Sequence, residues 1–109
     1  MSSLILGDSP TLAELQRYLR QLERDRGFSS ETVLQKCLLL GEEVGELFKA
    51  VRKHEGIAID SNSKFGAISE ELADVLMYVL AIANRLEIDL EAAFREKEEK
   101  NKKRVWAKA

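Results

Sequence analysis

Leu12, Leu15, Leu19 and Leu22 recur at spacings of three and four, which places them on one face of a helix. The spacing predicts a first helix from about Thr11 to Arg24. Thr11 and Glu14 can form a capping box, although Ser9 with Pro10 at a first helical position competes for the start. Asp25-Arg26-Gly27 ends it. A second helix is expected over roughly Glu31 to Lys53, capped by Ser29 or Ser30, with Val33, Leu34, Cys37, Leu38, Val44, Leu47, Phe48 and Val51 as its apolar surface. Gly56 to Ser63 is a polar connection containing Asp60, Ser61 and Asn62. The third helix runs to about Leu86. Its interior, with Leu72, Val75, Leu76, Val79, Leu80 and Ile82, is apolar enough to require contact on more than one side, as at a bundle centre or a subunit interface. Asp89 caps a fourth helix that continues through Phe94 toward Trp106. No alternating run argues for a sheet, so the expected fold class is all-α, a small bundle of four antiparallel helices.

Composition narrows the class further. A chain of 109 residues, 45% hydrophobic and 33% charged, suits one strongly amphipathic helical domain. A domain this small buries a modest share of its surface, and oligomerisation is a common remedy. The formal net charge of -2 excludes a uniformly basic nucleic-acid binder. The lone cysteine, Cys37, lies in an apolar run and reads as a core thiol. It cannot form an internal disulfide, no segment reads as a membrane span, and the start lacks the pattern of a secretory signal. The expected location is therefore cytoplasmic, with no membrane partner.

The chemistry is concentrated in an acidic pattern that occurs twice. Residues 40–47 read Leu-Gly-Glu-Glu-Val-Gly-Glu-Leu, and residues 68–75 read Ile-Ser-Glu-Glu-Leu-Ala-Asp-Val. Residues three apart share a helix face, so Glu43 pairs with Glu46 and Glu71 with Asp74, each pair beside an apolar stripe. Carboxylates directed toward a core repel unless something positive lies between them. Helices two and three, joined by a short connection, should pack antiparallel and point both pairs into one space. The small residues Gly41 and Gly45 against Ser69 and Ala73 would allow close approach. All-oxygen ligands suit Mg²⁺, with Mn²⁺ as a substitute. The only histidine, His54, lies at a helix end as an exposed residue facing the dipole, and Cys37 is on a different stretch. A zinc site and the Glu-x-x-His pairs of a di-iron bundle therefore lose support. Glu42 and Glu70 read as outer or surface residues. The competing explanation for any single Glu-Glu-x-x-Glu is a solvated helix face.

Glu43-x-x-Glu46 followed by Glu71-x-x-Asp74 resembles the MazG-like all-α nucleoside triphosphate pyrophosphohydrolases, a group related to dimeric dUTPases and dCTP pyrophosphatases. Asp74-Val-Leu-Met-Tyr78 is similar to that family's third helix. Lys97, Asn101 and Arg104 resemble the Lys-x-x-x-Asn-x-x-Arg pattern of its last helix. The likeness spans about Ser29 to Trp106. It implies a single MazG-like domain over residues 1–109, with a core of about 11–106. It also implies Mg²⁺-dependent cleavage of a nucleoside triphosphate between the α and β phosphates, giving the monophosphate and pyrophosphate, in the clearance of non-standard or surplus nucleotides. The implied assembly is a homodimer or dimer of dimers with the site near a subunit interface.

Under that resemblance Glu43, Glu46, Glu71 and Asp74 are the metal ligands, with Glu46 chosen to activate the attacking water. Lys97, Asn101 and Arg104 share one face of the last helix and would clamp phosphate and sugar, the alternative being a solvated, dipole-complementing helix end. Tyr78, one turn after Asp74, would stack on sugar or base, or else pack in the core. Phe28, Phe48 and Trp106 are possible base contacts that read more simply as core. Lys100, Lys102, Lys103 and Lys108 read as surface residues. Two other classes compete: a non-enzymatic helical interaction module, and a nucleic-acid binder using Arg95–Lys108. Glu96, Glu98 and Glu99 interrupt that last stretch and weaken it.

Overall fold

A computed structural model describes residues 5–105 of the chain. Trp106 and Lys108, named above, lie outside the described residues. Among these, the chain is all-α, with α1 Leu12–Asp25, α2 Val33–His54, α3 Ile68–Arg85 and α4 Leu90–Lys102, and no strand.

The helix starts are decided by local chemistry. Thr11 caps α1: its hydroxyl accepts from the Glu14 N–H at 3.1 Å, and the Glu14 carboxylate accepts from the Thr11 N–H at 3.2 Å. The Ser9–Pro10 start is not used. The cap of α2 is Thr32 rather than Ser29 or Ser30. Gln35, three residues on, returns a bond to the Thr32 N–H at 2.7 Å, a reciprocity that neither serine obtains. Residues 28–31 are a turn instead, closed by the Glu31 N–H on the Phe28 carbonyl at 3.1 Å. Asp89 caps α4 as expected, accepting from Ala92. That helix stops at Lys102, short of Trp106.

Three helices end alike. After α1 and α2 the chain enters the left-handed region at Gly27 (φ 77°) and Gly56 (φ 74°). The next N–H reaches back five residues: Phe28 to Glu23 O at 2.7 Å, and Ile57 to Arg52 O at 2.9 Å. After α3 the same turn is made by Glu87 at φ 55°, with Ile88 N–H on Ala83 O at 2.9 Å. A residue with a Cβ costs about 1–2 kcal/mol there.

The longest contact is α2 against α3, with α1 crossing α3 and α4 resting on α1. Leu19, Leu22, Leu80 and Ala81 form the core cluster, with Leu12, Leu15, Tyr18 and Leu90 packed on it. Gln16 locks the α3–α4 turn to α1. Its amide donates to Ile88 O at 2.9 Å and accepts from Leu90 N at 3.1 Å, while Asn84 donates to Gln16 O at 2.9 Å. No described helix is long and apolar enough to cross a membrane.

Two expectations about packing fail. Cys37 is exposed in the single chain, not a core thiol. It shares with Leu34 and Leu38 an outer face of α2 that α3 does not cover, because that helix is apolar on more than one side. Gly41 and Gly45 do not approach α3 either: a Cβ built on each meets nothing within 4 Å, and Ser69 and Ala73 are themselves exposed. Gly41, Ser69 and Ala73 are exposed and Gly45 is half-buried, while Glu43, Glu46 and Glu71 occupy the α2–α3 seam.

Candidate functional site

Glu43 and Glu46 on α2 and Glu71 on α3 come together across this seam, each offering one carboxylate oxygen, and these oxygens lie within 4.8 Å of one another. The matched i, i+3 spacing on two adjacent helices produces this convergence. Asp74 stands one turn beyond Glu71, outside the 4.8 Å group but near enough for its charge to be felt at Glu43 and Glu46. Glu42 and Glu70 are exposed.

The connection before α3 fixes Glu71. Ala67, at the cap position, supplies no side-chain bond. The Glu71 carboxylate instead turns back and accepts the Gly66 N–H at 2.7 Å through Oε1. Its other oxygen, and Glu43 Oε2, are shielded from solvent without a hydrogen-bond partner.

The protonation pattern follows from these contacts. The Gly66 N–H holds the Glu71 carboxyl below its ordinary range. Burial, then a hydrogen bond shared with Glu71 and the charges of Glu46 and Asp74, push Glu43 up to about 7. Glu46 is raised as well, first by its hydrogen bond with Glu71 and then by burial. Glu43 therefore holds its proton up to about pH 7. A divalent cation can replace that proton, and the two orphaned oxygens are suitable hard donors for it. The donor set fits a hard cation.

Gly66 serves this arrangement through the space it leaves. A Cβ at this position would come within 2.9 Å of Glu71 Oε1 and also crowd the Glu70 carboxylate. Gly66→Ala should displace Glu71 and weaken binding of a divalent cation by about 10–100-fold, the range for partners that orient a ligand. Calorimetric titration with Mg²⁺ checks this, with far-UV circular dichroism expected to be unchanged.

A cavity of about 360 Å³ opens beside the acids, running from Glu43 and Asp74 to Glu23, Glu31 and Lys36, with Tyr78 and Phe28 on its walls. Tyr78 is half-buried on the wall of this cavity. Phe28 is 45% exposed and faces the cavity rather than the core. Phe48, 62% exposed, belongs neither to the core nor to this cavity.

Lys97, Asn101 and Arg104 are not brought to the acids within one chain. Lys97 and Asn101 lie on α4 and Arg104 just past its end, and none of the three lines the cavity of Glu43 and Asp74. Lys97 and Arg104 are exposed, and Asn101 is half-buried with its Oδ1 shielded and without a hydrogen-bond partner. Lys102 pairs with Glu99 at 3.0 Å, and Arg95 with Glu91 at 3.6 Å, as expected for a mixed-charge surface. His54 is exposed at the end of α2, 3.5 Å from the Glu55 carboxylate.

The sequence reading missed the charged group at the far end of the cavity. Lys36 is 4% exposed, with Nζ 3.2 Å from Glu23 Oε2 and 3.0 Å from Glu31 Oε1. The ammonium also lies 5.4 Å from the Phe28 ring centre and 5.5 Å from that of Tyr78. Arg85 grips Glu23 with two bonds, at 2.9 and 2.7 Å. The available signal was a lysine in the Val33–Leu40 stretch, where every other residue except the capping Gln35 is apolar.

Known proteins match this arrangement. The model of the MazG nucleotide pyrophosphohydrolase domain matches residues 31–106. Among solved structures, iMazG from Vibrio DAT 722 superposes with a TM-score of 0.62 at 33% identity, covering 85% of this chain and 99% of that one. No curated protein matches. The matched stretch contains both acidic pairs and the Lys97, Asn101 and Arg104 face, and the solved relative extends the likeness to the whole helical arrangement: the chain belongs to the family of MazG nucleotide pyrophosphohydrolase domains.

Proposed function

We propose that this chain is a Mg²⁺-dependent nucleoside triphosphate pyrophosphohydrolase that cleaves between the α and β phosphates, releasing the monophosphate and pyrophosphate, and that it serves cytoplasmic nucleotide-pool house-cleaning. The observation carrying this reading is the convergence of the Glu43, Glu46 and Glu71 oxygens with two of them orphaned, in a chain of this family. Glu43, Glu46, Glu71 and Asp74 would hold Mg²⁺, or Mn²⁺ in its place. When bound, such an ion neutralises phosphate charge and acidifies water.

The remaining steps fall to the chain. Glu46, whose carboxyl is raised above its ordinary range by Glu71 and by burial, takes a proton from the attacking water. The water oxygen bonds to the α phosphorus, the bridging P–O bond breaks, and pyrophosphate leaves with the bond's electron pair. Glu71 stays ionised on the Gly66 N–H and keeps the site negative enough to retain its cation. Tyr78 offers a ring for the nucleoside.

The phosphate clamp of Lys97, Asn101 and Arg104 requires a second protomer in this reading, because α4 rests on α1 in its own chain. A homodimer or dimer of dimers also accounts for the exposed apolar residues Leu34, Leu38, Leu72, Leu76 and Phe94.

A panel of nucleoside triphosphates, incubated with and without Mg²⁺, tests the reaction. Pyrophosphate and monophosphate should appear only with the metal. Orthophosphate with a diphosphate product overturns α–β cleavage, and light scattering that returns a monomer overturns the assembly.

A further inference from the structure

One carboxylate ties the acidic cluster to the chain segment before α3. Glu71 Oε1 accepts the Gly66 N–H at 2.7 Å, while its Oε2 is shielded and without a hydrogen-bond partner. The same side chain converges with Glu43 and Glu46. Whatever holds Glu71 in that group therefore also holds the α2–α3 connection.

The two ends of this connection are fastened differently. Near α2, the Ile57 N–H bonds Arg52 O at 2.9 Å and the Arg52 guanidinium donates to Ala58 O at 2.6 Å. That end is tied to the helix it leaves. A turn follows, with the Asn62 N–H on Asp60 Oδ1 at 2.8 Å and the Ser63 N–H on Asp60 O at 3.0 Å. From Lys64 to Ala67, Gly66 has the one hydrogen-bonded N–H among the described residues, and Ala67 gives α3 no side-chain cap. Lys53 lies 5.8 Å from the Phe65 ring centre, a weak contact for an exposed lysine. The far end thus depends chiefly on Glu71.

That anchor stands in a crowd of like charge. Glu43 and Glu46 lie beside Glu71, and carboxylates sharing a site repel. A cation among the three reverses the force and holds Glu71 where it also meets Gly66. A ligand that favours one of two arrangements shifts the population toward it, and the coupling is reciprocal.

We infer that the α2–α3 connection is a cation-responsive strap: a divalent cation at Glu43, Glu46 and Glu71 fastens its far end through the Gly66–Glu71 bond, and an unfastened strap weakens the hold on the cation. The inference rests on the cation site of the proposed function, not on turnover.

Amide hydrogen exchange on the full chain tests it. Mg²⁺ alone is the probe, and calorimetry on the same sample fixes its dissociation constant. At about 100 times that constant the Gly66 amide should exchange at least about tenfold more slowly, with about 100-fold as the ceiling if an open strap releases the ion altogether. Ile57, fastened to Arg52, is the internal control and should change by less than about twofold. Glu71→Gln keeps an acceptor for Gly66 without the charge, so the Mg²⁺ response of that amide should fall to within about twofold. The wild-type comparison stands by itself if this variant does not fold. Mg²⁺ binding with unchanged Gly66 exchange overturns the inference and leaves the metal reading intact. Equal slowing at Gly66 and Ile57 also overturns it, because that marks a general tightening of the chain. A response preserved in Glu71→Gln does the same, since the ion would then act through other groups. Absence of Mg²⁺ binding removes both readings together.

Discussion

Glu71→Gln should reduce pyrophosphate release at least 100-fold, on the order of the upper loss seen for groups that only orient a ligand. The substitution is informative because glutamine retains an Oε1 for the Gly66 N–H, so the start of α3 keeps its cap and only the charge is removed. Glu71 is also the acid held below its ordinary range, and its loss leaves Glu43 and Glu46 as the remaining members of the close group. Steady-state pyrophosphate assays at saturating Mg²⁺ read the effect, with exposed Glu42→Gln as a control expected to stay near wild type. The same cluster predicts a pH dependence. Glu43 carries its proton below about 7, so Mg²⁺ must displace it there. Apparent affinity should rise by about tenfold per pH unit for each proton displaced and level off above neutrality. Calorimetry in buffers of different ionisation heat would count those protons. A flat profile between about pH 5.5 and 8.5 would separate the acids from the metal.

Arg85→Met should cost about 3–5 kcal/mol of stability, the loss expected when one partner of a buried ion pair is removed. Arg85 joins three parts of the chain. It donates to both Glu23 oxygens on α1, to Phe28 O at 3.0 Å and Glu31 O at 2.7 Å in the α1–α2 connection, and to Ala81 O at 3.0 Å on its own helix. Methionine fills much of the volume but leaves the Glu23 charge to Lys36 alone. Urea unfolding measures the change, and Arg85→Lys should recover only part of it, since an ammonium cannot reproduce the forked contact. The sign of the pH effect is fixed. Burial raises the Glu23 carboxyl, but hydrogen bonds from Arg85 and Lys36 outweigh it and leave the group below its ordinary value. Its contribution is therefore complete above the unfolded carboxylate range and is lost as pH falls through the lower folded value. The wild type should lose stability in acid more steeply than Arg85→Met.

Much of the fold was legible because its signals are local. The α1 stripe, the Thr11–Glu14 box, Asp89 and the polar connection before α3 all act within a few residues. The α2 start was misread because two serines in a turn resemble a cap until Gln35 is seen to answer Thr32. The acidic site was legible because an i, i+3 spacing repeated on neighbouring helices leaves the carboxylates few alternatives to meeting. Side-chain facing was less legible: helices apolar on two sides do not state which side meets a neighbour, so Cys37 and Gly41 were turned inward on paper and are exposed in the fold, and Gly45 makes no close approach. The Glu23–Lys36–Arg85 group was hidden for a different reason. Its members are far apart in sequence and come from three helices, so no spacing rule connects them.

The Gln16 joint has a mechanical consequence. α4 contributes no fully buried residue, and the amide clamps it near Leu90, at its first turn. At about 1.5 Å per residue the helix extends roughly 20 Å from that fulcrum. A rotation of about 10° there would swing the far end by about 3–4 Å, more than the tolerance of a hydrogen bond. Asn101 and Arg104 sit at the long end of this lever, so small changes where Gln16 holds the α3–α4 turn would set where their charge and amide arrive.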